Sequence, residues 1–100
     1  MGSFEDFRRE EGITRAEMAK LVSIYATEYN IKTPDHSKYQ CREYTDLDTA
    51  PEGLRNYVIT SCELGYMGYY SDGETYKSAF VPNEIITKAE AVTVLSRVLW

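Results

Sequence analysis

The chain has one histidine, one tryptophan, two cysteines, three prolines and no surplus of positive charge. Each shortage excludes something. One histidine with two cysteines leaves a Cys/His zinc site a ligand short unless a carboxylate joins it. The spacing Asp46-x-Asp48 lacks the further acids and glycine of a calcium loop, so an Asx turn is the simpler reading. No Cys-x-x-Cys pair lowers a thiol pKa for redox work. His36 and Cys41 have no third group to orient them as base and nucleophile. No apolar run approaches the ~18 residues of a membrane-spanning helix, so no membrane insertion is expected. Eleven Lys and Arg against sixteen Asp and Glu give a net charge of −5. A field of that sign disfavours nucleic acid and anionic lipid. Met1-Gly2-Ser3 opens no secretion signal and reads as a cloning remnant, while Asp6 breaks a myristoylation signal. The expectation is a non-catalytic domain with no cofactor and no metal.

What is present is an ordinary globular balance, 43% hydrophobic and 27% charged in 100 residues. A domain of this size buries only about 60–65% of its unfolded surface, so a covalent staple is valuable. Cys41 and Cys62 are the pair available. A bridge closing their loop would contribute ~3 kcal/mol and would place the protein outside the cytoplasm. Two buried reduced thiols in a cytosolic protein are the alternative, and spacing alone does not separate the two.

Tyrosine is plentiful, nine against three phenylalanines. Tyr66, Tyr69, Tyr70 and Tyr76 form the densest patch, suited to stacking on a sugar or a protein partner, or to partial core packing.

The chain also repeats itself at an offset of 73 residues. Phe7, Glu11, Ile13, Thr14, Ala16, Glu17 and Ser23 recur as Phe80, Glu84, Ile86, Thr87, Ala89, Glu90 and Ser96. Seven identities in seventeen aligned positions exceed the roughly one that average residue usage gives by chance. Duplication explains them. In each copy a threonine stands three residues before a glutamate, Thr14/Glu17 and Thr87/Glu90, the spacing of a capping box. Met18, Leu21, Val22, Tyr25 and Tyr29 then follow helical spacing, as do Ala91, Val94, Leu95 and Val98. Helices are predicted over about 14–30 and 87–100.

A third helix is predicted between them. It starts at Thr49-Ala50-Pro51-Glu52, with proline in the first turn and an apolar stripe of Leu54, Tyr57, Val58 and Cys62. Gly65 is placed to end it. Residues 31–43 and 68–78 read as loops, and Phe80-Val81-Pro82 as a short extended piece. The fold class is mainly α: three principal helices, long loops and this one extended segment.

Ile13-Thr14-Arg15-Ala16-Glu17 resembles the Ile-Thr-Arg-Ala-Glu signature of S-layer homology repeats. Tyr44-x-Asp46, Leu64-Gly65-x-Met67-Gly68, Asp72-Gly73, Phe80-x-Pro82 and Ile86-Thr87-Lys88-Ala89-Glu90 resemble, in order, one complete repeat over 44–100. Residues 7–30 then resemble the second half of a preceding repeat within the single domain 1–100. The resemblance implies a fold of helix-loop-helix repeats. It also implies an anchoring module of the bacterial cell surface or S-layer that binds cell-wall polysaccharide, often an acidic one, in grooves between repeats. The implied ligand contacts are Arg15 and Lys88 with Thr14 and Thr87 beside them, and Tyr69 and Tyr70 are added from the aromatic patch. A helix start with bare amides and a cation suits an anionic ligand, and Arg8 and Arg9 would deepen such a patch. The other partner in view is another surface protein, and incomplete repeats leave room for self-association. A chain ending at Trp100 after an apolar helical run is expected to come from a longer protein.

Overall fold

The computed structural model describes residues 12–70 and 75–99. Phe7, Arg8, Arg9, Glu11, Asp72, Gly73 and Trp100, singled out above, lie outside the described residues. Among those described, three α-helices carry the chain: α1, Arg15–Glu28; α2, Arg55–Glu63; and α3, Lys88–Leu99. The fold is mainly α, as the hydrophobic spacing predicts. One core runs through it, built on Met18 and Val22 of α1, Val58 and Cys62 of α2, Leu64, Met67 and Phe80 between helices, and Val94 and Val98 of α3.

Helix α1 begins on the predicted capping box. Thr14 accepts from the Glu17 N–H at 3.1 Å, and the Glu17 carboxylate accepts from the Thr14 N–H at 2.7 Å. The second box is one-sided: Thr87 accepts from the Glu90 N–H at 3.1 Å, while Glu90 sends Oε2 to Arg15 of the first copy.

The entry to α2 differs from expectation. Thr49 caps nothing: it ends a 3-10 turn, Leu47–Thr49, and its hydroxyl donates to the Asp46 carbonyl. A second 3-10 turn, Glu52–Leu54, follows Pro51 and runs into α2. The exit is as predicted. Gly65 adopts φ +83, its N–H reaches the Cys62 carbonyl, and the Tyr66 N–H reaches that of Ser61. This is a Schellman closure, which requires a left-handed residue at that point.

The piece at 80–82 is not extended. Val81 has φ +56, and the described residues hold only two isolated β-bridges, Thr14 to Ile85 and Tyr69 to Tyr76. Asp46 forces the turn. Its Oδ1 accepts from the Phe80 N–H at 2.9 Å and its Oδ2 from the Val81 N–H at 2.8 Å. Asp46 is therefore a clip across the fold, and the Asx-turn reading is corrected.

Cys41 and Cys62 are joined as a disulfide, with Cα atoms 5.5 Å apart. The bridge fastens the 3-10 turn Tyr39–Arg42 to α2. Beside it the buried Glu63 carboxylate meets His36 Nδ1 and Arg42 Nη1, each at 3.1 Å. His36 is exposed, as its polar neighbours suggest.

Candidate functional site: a basic cleft between the two copies

The two related helix openings meet each other. The Ile86 N–H donates to the carbonyl of Ile13, its counterpart in the first copy, at 2.9 Å. In return the Arg15 and Ala16 N–H groups donate to the carbonyls of Glu84 and Pro82, each at 2.9 Å. With Glu17 held by Thr14 and Met18 by the Thr14 carbonyl, the first turn of α1 has its amides satisfied. The expectation of bare amides beside Arg15 is thereby corrected. The reason is that the turn before α3 packs against this opening and lends it the carbonyls of Glu84 and Pro82.

Arg15 itself is only 4% exposed. Its Nε donates to the Phe80 carbonyl at 2.7 Å, its Nη1 pairs with Glu90 Oε2, and its guanidinium lies 5.1 Å from the centre of the Phe80 ring. Burial pushes its pKa down, and the carboxylates of Glu84 and Asp46 push it back up. An arginine stays cationic throughout. Here it is a strut between the copies.

The strut forms one wall of a cleft of about 190 Å³. Met67, Gly68 and Tyr69, Lys77, and Glu90, Thr93, Val94 and Arg97 of α3 complete its lining. Three cations and one carboxylate thus converge on one opening in an otherwise acidic protein. Arg97 Nη1 donates to the Tyr66 carbonyl at 3.1 Å. Lys77 is placed by its own backbone, whose N–H donates to the Gly68 carbonyl at 3.0 Å, and by the adjoining bridge. Burial lowers the Lys77 pKa, and the charges of Arg15 and Arg97 lower it further against the pull of Glu84.

The other predicted contacts divide. Lys88 is exposed at the start of α3 and does not line the cleft. The Thr14 and Thr87 hydroxyls serve as caps. Tyr69 lines the cleft yet is 8% exposed, with its hydroxyl donating to the Cys62 carbonyl at 2.9 Å and lying 3.1 Å from that of Tyr76. Tyr70 is half exposed, and Lys77 Nζ lies 6.0 Å from the centre of its ring.

The tyrosine patch is therefore split. Tyr66 and Tyr69 are core, and Tyr70 faces outward. Lys77, Arg97 and the cleft role of Glu90 had no signal in spacing, because they converge from a loop and two turns of α3. No metal-binding cluster of His, Cys, Asp and Glu occurs among the described residues. No helix among them is long and apolar enough to cross a membrane. Set against protein-family models, curated proteins and solved structures, the chain matches none of them.

Proposed function

We propose that the protein is a non-catalytic anchoring module of S-layer homology type, acting outside the cell and holding an acidic wall polysaccharide in the cleft between its two copies. The observation that carries this reading is the cleft's charge: Arg15, Lys77 and Arg97 gather at one opening on a chain of net charge −5. Such a local field attracts an anionic polymer that the whole molecule would repel. The disulfide agrees with an oxidising location, and exposed Tyr70 offers a ring for a sugar beside Lys77. The cleft holds too little volume for an oligosaccharide, so it suits one substituted residue of a longer chain.

Retention on immobilised acidic wall polysaccharide tests the reading, with the same polymer after its carboxylates are amidated as the control. Retention on the native polymer that fails on the amidated one is expected. Equal retention on both, or none on either, contradicts it.

A second reading, a protein-contact domain, is favoured by a different surface. Tyr25 and Tyr29, at the end of α1, have ring centres 5.3 Å apart in a tilted pair, are 41% and 71% exposed, and are followed by exposed Ile31. Tyr29→Ala removes that contact without touching the cleft, which separates the two readings in one binding experiment.

A further inference from the structure

We propose that Lys77 is the side chain that takes the ligand's anionic group in this cleft, with Arg97 as its second contact, whereas Arg15 shapes the wall and Lys88 takes no part. The proposal rests on the cleft being a ligand site, as in the preceding reading, and goes on to name the residue that recognises the charge. It follows from how the three cations are already engaged. Arg15 has its Nε on the Phe80 carbonyl and its Nη1 on Glu90, and its side chain is 5% exposed. Its remaining Nη hydrogens belong to a side chain that is almost wholly buried, and a ligand claiming the engaged ones would leave a buried carbonyl and a carboxylate without partners. Arg97 gives one Nη1 hydrogen to the Tyr66 carbonyl and keeps others. Lys77 has no ion pair or side-chain hydrogen bond among the described residues, and its ammonium meets only the outward Tyr70 ring.

Position adds to availability. The Tyr69–Tyr76 bridge, the Lys77 N–H to the Gly68 carbonyl and the Tyr70 N–H to the Thr75 carbonyl hold Lys77 at the opening. Little chain ordering is then left for binding to impose. The groups facing its ammonium are Arg15, Arg97, Glu84 and Tyr70, with Glu90 across the cleft. Burial first and then the two guanidiniums depress the Lys77 pKa, against the pull of Glu84. A bound carboxylate supplies the missing opposite charge and raises that pKa again. A volume of about 190 Å³ suits a single sugar-sized anion.

The probe is sodium glucuronate, with glucose as the neutral control, followed by amide and lysine side-chain NMR on the wild type, Lys77→Gln, Lys77→Arg and Lys88→Gln. Glucuronate and not glucose should shift the signals of Gly68, Lys77 and Thr93 and raise the titration of Lys77. Lys77→Gln should weaken binding by about tenfold or more, Lys77→Arg should retain part of it, and Lys88→Gln should leave it within about twofold. The Lys77 variants are expected to fold, since the side chain is partly exposed and unpaired. Wild-type affinity in Lys77→Gln, no glucuronate binding by the wild type, or shifts centred on Lys88 would each overturn the assignment. The two proposals fail separately. Polymer retention that survives Lys77→Gln rejects the lysine and leaves the anchoring role. Lys77-dependent glucuronate binding without polymer retention does the reverse.

Discussion

Arg15 has the chemistry of a ligand contact and the surroundings of a structural brace. Its sequence neighbours mark it as the first residue of a capped helix, which is how the spacing reads it. Its partners lie 65 and 75 residues away, Phe80 and Glu90, and no local pattern announces a contact of that range. Breaking a buried pair from one side leaves the other group desolvated. Glu90 is about a third exposed, so part of that cost is recovered by water. Arg15→Gln is expected to destabilise by about 2–3 kcal/mol in urea unfolding and Glu90→Gln by about 1 kcal/mol. The double variant should fall short of the sum, because the interaction can be lost only once. Strict additivity would mean that the two side chains do not act as a pair.

At the scale of elements, what was legible was what is local. The Thr14 box, the Gly65 stop and the inner face of α3 depend on residues three to six positions apart, and they form where the spacing puts them, whereas Leu21, Tyr25 and Tyr29 of the face predicted for α1 are exposed. Thr49 and Val81 were not legible, because Asp46 decides both. Its carbonyl takes the Thr49 hydroxyl and its carboxylate turns the chain at 80–81. Two glycines show the same division. Gly65 and Gly68 both have positive φ, +83 and +89. A Cβ at Gly65 would meet only the movable ends of Lys32 and Lys38, whereas at Gly68 it would run into the buried Tyr44 hydroxyl. That hydroxyl donates to the Gly68 carbonyl at 2.9 Å, so it has no room to retreat. Gly65→Ala should cost about 1–2 kcal/mol, the left-handed penalty alone. Gly68→Ala should cost at least about 2 kcal/mol more, as overpacking is added to the same backbone strain. Thermal unfolding of the two variants measures the difference, and equal losses would count against a close Tyr44–Gly68 contact.

The whole molecule explains why two copies of one pattern become two different surfaces. Helix α1 packs chiefly on α2, which buries Ala19, Ser23 and Ala26, and the Ser23 hydroxyl donates to the Tyr57 carbonyl at 3.3 Å. Their counterparts on α3, at the 73-residue offset, are Val92, Ser96 and Leu99, and all three are exposed. The spacing gives both helices the same inward face, but α1 departs from it, with Leu21 and Tyr25 exposed and Ala19, Ser23 and Ala26 turned onto α2, whereas no described helix covers that side of α3. The buried stripe of α3 is the predicted one, Ala91, Val94 and Val98, turned toward the core and the cleft. The duplication thus fixed the local form of the helices but not their surroundings, which depend on what stands next to each copy.

Matched substitutions make this measurable. Ala19→Lys places a charge at a fully buried site and should cost about 3 kcal/mol or more. Val92→Lys, at the equivalent position but 53% exposed, should stay within about 0.5 kcal/mol. Guanidinium unfolding of the pair decides the point. A large loss from Val92→Lys would mean that this side of α3 is covered in solution, and that the difference between the two copies is smaller than their environments indicate.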